Sequence, residues 1–427
     1  MLNRQEIPAI QHPIDFNYHL APINTLILDN GIPLYHISDD IQPVLQLELV
    51  FPAGIYTEDQ KGIAQATASL LKSGTSQKTS LEINELFEQY GASVKAGAGS
   101  DWSSLTISCL SKHLGQLLHL VVELLTDTQF PQHEIDLFIQ NSLQRLSVQL
   151  KKSDFVANRQ IDKLLFGYDH PYGRYLVAED YQQITQGALN NHLKKHYNSA
   201  SCKLFLAGSF GENELRLINE TLGKSGWNNP EPDIQLEKPI HPAPEKHHRM
   251  TNNADGVQGA IRLASPFPNR LHPDFVPMIV LNTLFGAYFG SRLMSNIREE
   301  KGYTYGIHSY MYNHRFQSAY LITTEAGKDV CEATVAEIYL EMKRLREEAI
   351  PEDELLLVKN YLLGNLLGDL DGSFQIIQRW KNLILNDFTG ERFQANIKIY
   401  KSVSTDELMA LAQTYYQPDR FYELVVI

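Results

Sequence analysis

The chain has 427 residues, 43% of them hydrophobic, enough to bury sizeable cores in about two to four domains. Its 37 basic and 50 acidic residues leave a formal charge of −13, which argues against nucleic acid as a main partner, because phosphate binding needs clustered Lys and Arg. Cys109, Cys202 and Cys331 are too few and too far apart for a disulfide framework or a cysteine metal site, and no run approaches a membrane span or a basic amphipathic membrane anchor. The start, MLNRQEIPAIQHPIDFNYHL, lacks a signal-peptide core, so the expected protein is reduced, soluble and cytoplasmic.

Two strand patterns come first, NTLILDNGIPLYHIS and VLQLELVFPAG, the former holding the hairpin pair Asn30-Gly31. Helices are predicted at about 62–72 and over SLEINELFEQYG. ASVKAGAGSDWSSLTISCL reads as two strands around a Gly/Ser/Asp turn. Helical spacing resumes in HLGQLLHLVVELLTD and PQHEIDLFIQNSLQRLSVQLKK, and CKLFLAGSF closes the first half as a strand. Residues 226–250, GWNNPEPDIQLEKPIHPAPEKHHRM, hold five prolines and little periodicity, and are expected to form an extended, exposed linker with His247 and His248 solvated.

Beyond the linker the pattern restarts. GAIRLASPF is a strand, FVPMIVLNTLFGA and SRLMSNIREEKG are helices, and YTYGIHSYMYN and RFQSAYLITTEAG are strands. The helices VCEATVAEIYLEMKRLREEA and EDELLLVKNYLLGNLLGDL and the strand RFYELVVI complete the chain. INELFEQYGASVKAGAGSDWSSLTISCL and LMSNIREEKGYTYGIHSYMYNHRFQSAYLITTE share one plan of helix, glycine stop, strand, turn and strand, with Gly91 and Gly302 at the same point. The expected fold is therefore α+β: two homologous sandwich-like domains, 1–225 and 251–427, each a mostly antiparallel sheet with helices on one face.

GIAQATASLLKSGT, residues 62–75, together with the preceding strand LELVFPAG, resembles the pitrilysin family of zinc peptidases, whose inverted motif H-x-x-E-H lies on a helix. Gly62, Ala64, Gly74 and Thr75 keep the family register. The family's histidines fall on Gln65 and Ser69, and its glutamate on Ala68. Two histidines four apart on a helix grip one metal, and the glutamate serves as general base toward the bound water. An amide and a hydroxyl are poor zinc ligands, and alanine takes no proton. The third ligand of the family, a glutamate, should fall at residue 145 or 146, where this chain has Arg145 and Leu146. The resemblance thus implies a chain with no zinc of its own.

The second half keeps more of the family's features. FGSRLMSNIREEKGYTYGIHSY is similar to the C-terminal signature, in which an arginine and a tyrosine seven apart bind substrate near the scissile carbonyl; here they are Arg298 and Tyr305. A guanidinium and a phenol are suitable donors for a carbonyl oxygen that gains charge. The first repeat has Phe87 and Val94 at the equivalent positions by count, so the fold alone does not require the pair. HPYGR, residues 170–174, is expected to shape a loop, and FGAYFGSRL is too short for the glycine-rich loop of the processing peptidase's non-catalytic subunit.

The resemblance implies the zinc-less subunit of a two-chain peptidase. Arg298 and Tyr305 would act in trans on peptides held at a zinc site in a homologous partner, with neither nucleic acid nor membrane as partner. A structural homologue, like the core subunits of the cytochrome bc complex, and a homodimeric peptide-binding protein are the alternatives.

Overall fold

The computed structural model describes residues 11–224, 227 and 237–427. The first sheet holds β1 (Asn24–Ile27), β2 (Pro33–Ser38), β3 (Val44–Phe51), β4 (Ser93–Ala98), β5 (Ser103–Leu110) and β6 (Lys203–Gly208), in the order β1-β2-β6-β3-β5-β4. The second holds β7 (His247–Met250), β8 (Gln258–Phe267), β9 (Thr304–Asn313), β10 (Ser318–Gly327) and β11 (Tyr422–Val426), in the order β7-β11-β8-β10-β9. Without β1 the two orders are identical when β2–β6 are laid on β7–β11. The single parallel pairing falls at the same place, β2 with β6 and β7 with β11. This topological match supports the α+β duplication expected from the sequence.

The central strands of each sheet are buried on both faces. On one face of β3 and β6, Leu45, Leu47, Leu49, Leu204 and Leu206 join the main core with the apolar stripe of a helix over Leu114–Asp127. The alternate residues Val50, Phe205 and Ala207 pack instead on Ile377, from the helix Ser373–Leu385 of the other half. The second sheet mirrors this arrangement. Ile261, Leu263, Tyr320 and Ile322 face their own helices, whereas Ala260, Ala264, Ala319 and Leu321 pack on Ala157, Ile161 and Leu165 of the helix Ser153–Phe166, from the first half. The halves thus exchange one helix each, so their cores are not independent.

Both crossings carry a charge pair with one buried partner, Arg262 in one and Glu48 in the other. Arg262, 1% exposed on β8, pairs with Asp154 and donates from Nε to Asn158 Oδ1 at 2.8 Å. At the matching strand β3, Glu48 is held by Lys381 at 2.8 Å. Removing one partner of such a pair strands a desolvated charge, so these contacts fix the register of each crossing helix.

The stretch read as a linker is more tightly held than expected. His241 N and Ala243 N donate to Phe166 O and Leu164 O at 3.1 and 2.9 Å, and His247–Met250 are already β7 of the second sheet. His248 Nε2 lies 2.9 Å from Glu245 O, and His247 lies 3.5 Å from the buried Glu423, so neither is merely solvated. Residues 226 and 228–236 of the expected linker lie outside the described residues. All three cysteines are buried and free, and among the described residues no helix is long and apolar enough to cross a membrane.

Gly91 and Gly302 both end a helix with positive φ, 60° and 67°, and a Cβ at either meets nothing within 4 Å. The requirement is therefore conformational. Gly302→Ala is expected to cost about 1–2 kcal/mol, and Gly302→Asn less, because asparagine tolerates the left-handed region; urea denaturation of the two variants checks the order.

Candidate functional site

Two clusters carry the residues singled out by the sequence. The first surrounds α1 (Ile63–Ser69). Its N-cap Gly62 sits at φ 84°, where an added Cβ would also press on Leu176 at 3.2 Å. Ala64 donates its N–H to Glu58 Oε2 at 2.9 Å, and Glu58 Oε1 accepts from Arg174 at 2.8 Å. Thr75 donates to Glu123 Oε1 at 2.5 Å and accepts from the N–H groups of Gln77 and Lys78. Gly62, Ala64 and Thr75 therefore keep their places for structural reasons that outlast any metal.

Gln65 and Ser69, one helical turn apart, are exposed on the wall of a cavity of about 370 Å³, whereas Ala68 is turned into the protein at 3% exposure. The facing wall comes from the helix Gln132–Gln149, with Phe138, Arg145 and Leu146, and from Phe155 and Arg159 on the next helix. The loop of HPYGR adds Arg174, which joins Glu58 and the carbonyl of Ile55, as expected of a loop-shaping segment. The positions that would hold zinc in the family thus come together in space, but their side chains do not fit the ion. They supply an amide, a hydroxyl and either a guanidinium or an isobutyl group, beside a carboxylate already committed to Arg174. Among the described residues no group of three or more His, Cys, Asp or Glu is placed to hold a metal.

The second cluster lies on β9 and the turn before it. Met294–Glu300 is π-helical, so the residue after Gly302, Tyr303, donates to Ile297 O, six residues back. In the first repeat the residue after Gly91, Ala92, donates to Phe87 O, five residues back. The structural counterpart of Phe87 is therefore Ile297, both buried, and the one-to-one count that paired Phe87 with Arg298 is off by one. The extra residue carries Arg298 out of the core.

A second irregularity follows at once. On β9, Tyr305 and Gly306 together oppose the single residue Glu325, a β-bulge, whereas β4 and β5 pair without interruption over the matching stretch. Thr304 stabilises the bulge, donating from its hydroxyl to Glu325 O at 2.6 Å and accepting from Gly306 N at 3.1 Å. Tyr305 is left 90% exposed. Arg298 donates from Nε to Tyr305 O at 3.0 Å, and its guanidinium lies 4.8 Å from the Phe289 ring and 5.9 Å from the Tyr305 ring. Neither Arg298 nor Tyr305 lines the cavity at α1.

Residues 36–167 match the family model described as insulinase (peptidase family M16), and residues 183–362 match the peptidase M16 inactive domain. The chain belongs to peptidase family M16. It is 21% identical over 320 residues to an uncharacterized zinc protease of Bacillus subtilis, covering 74% of this chain and 76% of the relative. It is 23% identical over 348 residues to a non-peptidase homolog of Helicobacter pylori, covering 78% and 77%. The crystal structure of a peptidase M16 inactive domain from Pseudomonas fluorescens shares the fold with a TM-score of 0.85 at 20% identity, covering 95% of this chain and 98% of that one.

In this M16 chain the sequence pointed to the altered motif and to Arg298 and Tyr305, but not to Phe289, Arg159 or Glu58. Phe289 sits in FGAYFGSRL, which was weighed only for its length. Arg159 lies on Ser153–Phe166, a helix outside the elements expected from the sequence.

Proposed function

We propose that this chain is the zinc-less subunit of a two-chain M16 peptidase, presenting Arg298 and Tyr305 to a peptide bound at a zinc site in a homologous partner. The observation that carries this reading is the break in repeat symmetry. A π-turn and a β-bulge occur together in the second repeat, at the two residues in question, and the first repeat lacks both. Such irregularities cost regular hydrogen bonding and tend to be kept where a side chain must be re-aimed for function. Here they leave Tyr305 exposed and Arg298 outside the core, with neither residue on the cavity at the altered motif. In the partner, the metal would polarise the carbonyl and activate water. Arg298 and Tyr305 would donate to the carbonyl oxygen as it becomes negative.

The experiment is reconstitution with an M16 chain bearing an intact H-x-x-E-H. Alone, this chain is expected to hydrolyse no peptide. The mixture is expected to gain a chelator-sensitive peptidase activity that exceeds the partner's own. A stable complex with no hydrolysis under any pairing would overturn the reading in favour of a structural role.

A further inference from the structure

The cavity that replaces the zinc site is positively charged within a protein of net charge −13. Its lining includes Arg145, Arg159 and Arg174 against one carboxylate, Glu58. Glu58 is spent on Arg174 and on Ala64 N. The other two arginines face the cavity without a direct ion pair among the described residues, although Asp180 lies near enough to Arg159 to act on its charge. Arg145, on the helix Gln132–Gln149, is exposed and makes no hydrogen bond or ion pair among the described residues.

Arg159 is held rigidly. Its Nη2 donates to Leu176 O at 2.5 Å, and its guanidinium lies 4.2 Å from the centre of the Tyr175 ring and 5.2 Å from that of Phe155. Tyr175 is itself fixed by Gln160, which donates to its hydroxyl at 3.2 Å. Arg159 Nη1 is buried with no hydrogen-bond partner among the described residues. A buried, unpartnered N–H on a clamped guanidinium is an unmet demand for an acceptor. Desolvation also pulls the Arg159 pKa down, outweighing the opposing pull of Tyr175, Tyr181, Tyr168 and Asp180.

The remainder of the lining is largely apolar, including Phe138, Leu146, Phe155 and Leu176. A bare inorganic anion would leave that surface unused. A guanidinium fork matches a carboxylate in shape and charge, and the apolar wall suits the side chain attached to it. We propose that this cavity is a carboxylate-binding site, in which Arg145 and Arg159 hold the C-terminal carboxylate of a peptide and the apolar wall holds its last side chain. The site would accept an anionic chain end at the place where the family's metal would accept a neutral carbonyl. This inference does not depend on a partner subunit, and its test uses this chain alone.

The probes are dansyl-Ala-Ala-Phe with a free C-terminus and the same peptide as its C-terminal amide, titrated by fluorescence anisotropy. The free acid is expected to bind at least about tenfold more tightly than the amide, as for loss of a charge-assisted contact. Arg145→Gln and Arg159→Gln should each abolish most of that preference, while Arg216→Gln, which removes an equal charge from the exposed pair with Glu220, should not. Arg145 is exposed, so its variant should fold even if the Arg159 variant does not. Equal affinity for acid and amide, or a preference that survives Arg145→Gln, would overturn the assignment. So would binding of inorganic phosphate, lost in the same variants, with none of the peptide acid.

Discussion

Arg298→Ala combined with Tyr305→Phe is expected to lower kcat of the reconstituted peptidase by about a hundred- to a thousand-fold, the range seen when a donor to a developing oxyanion is removed. KM should change much less, because both donors strengthen only as the carbonyl oxygen gains charge. The single changes should not add. Arg298 Nε is bonded to the Tyr305 main-chain carbonyl at 3.0 Å, so loss of Arg298 also loosens the bulge that aims Tyr305, whereas Tyr305→Phe keeps this bond and removes only the hydroxyl. Arg298→Lys should recover only part of the loss, since an ammonium cannot hold Tyr305 O and reach forward as a planar fork does. An unchanged kcat in the double variant would remove these residues from the chemistry and, with them, the main support for a divided active site.

The duplication was legible because it rests on features that local sequence records: a glycine where φ must be positive, alternation in strands, and helical spacing. Gly91 and Gly302 mark the register of both halves, and β2–β6 and β7–β11 follow the same order. The exchanged helices were not legible. Ser153–Phe166 buries Ile161, Leu164, Leu165 and Phe166 as any core helix would, so its apolar positions do not say which of the two sheets it covers. Only tertiary structure reveals that this first-half helix covers the second sheet.

The site shows the same division. The losses at Gln65, Ala68 and Ser69 were legible from register alone. The outward turn of Arg298 was not, because a π-turn adds one residue without altering composition, and a count from Gly302 cannot detect it. The gain of a cationic cavity was equally hidden: Arg145, Arg159 and Arg174 are spread over two helices and a loop, and only folding gathers them around the face of α1.

Acidification from pH 7 to pH 5 is expected to destabilise the fold by several kcal/mol. His170, His192, His196 and His314 are all buried, and desolvation lowers their pKa values to about 4, 3, 4 and 4. His314 stacks on Tyr172 at 3.8 Å, His170 packs against Tyr56, Phe166 and Tyr172, and the His192 and His196 rings lie 4.7 Å apart. In the unfolded chain each takes up a proton near pH about 6.5, whereas the folded form resists until near its lowered pKa. Between these limits the unfolded state binds more protons, so stability present above pH about 6.5 is lost as the pH falls, by about 2 kcal/mol per histidine at pH 5. Asp162 acts in the opposite sense. Burial raises its pKa to about 7 despite its contacts with Tyr312 and Arg262, so the folded state retains a proton that the unfolded chain has released, which offsets about 3 kcal/mol at pH 5. The four histidines together lose more than Asp162 offsets; burial also raises the pKa of Glu58 and Asp101, which narrows the difference. The urea midpoint should therefore fall between pH 7 and pH 5. His192→Gln, which can still reach the carbonyl of Ala53 bonded by Nε2, should flatten the slope by about one proton, or about 1.4 kcal/mol per pH unit. A midpoint that holds or rises across this window would mean that the histidines are hydrated in solution and that the packing between α1, the HPYGR loop and the second sheet is looser than their burial implies.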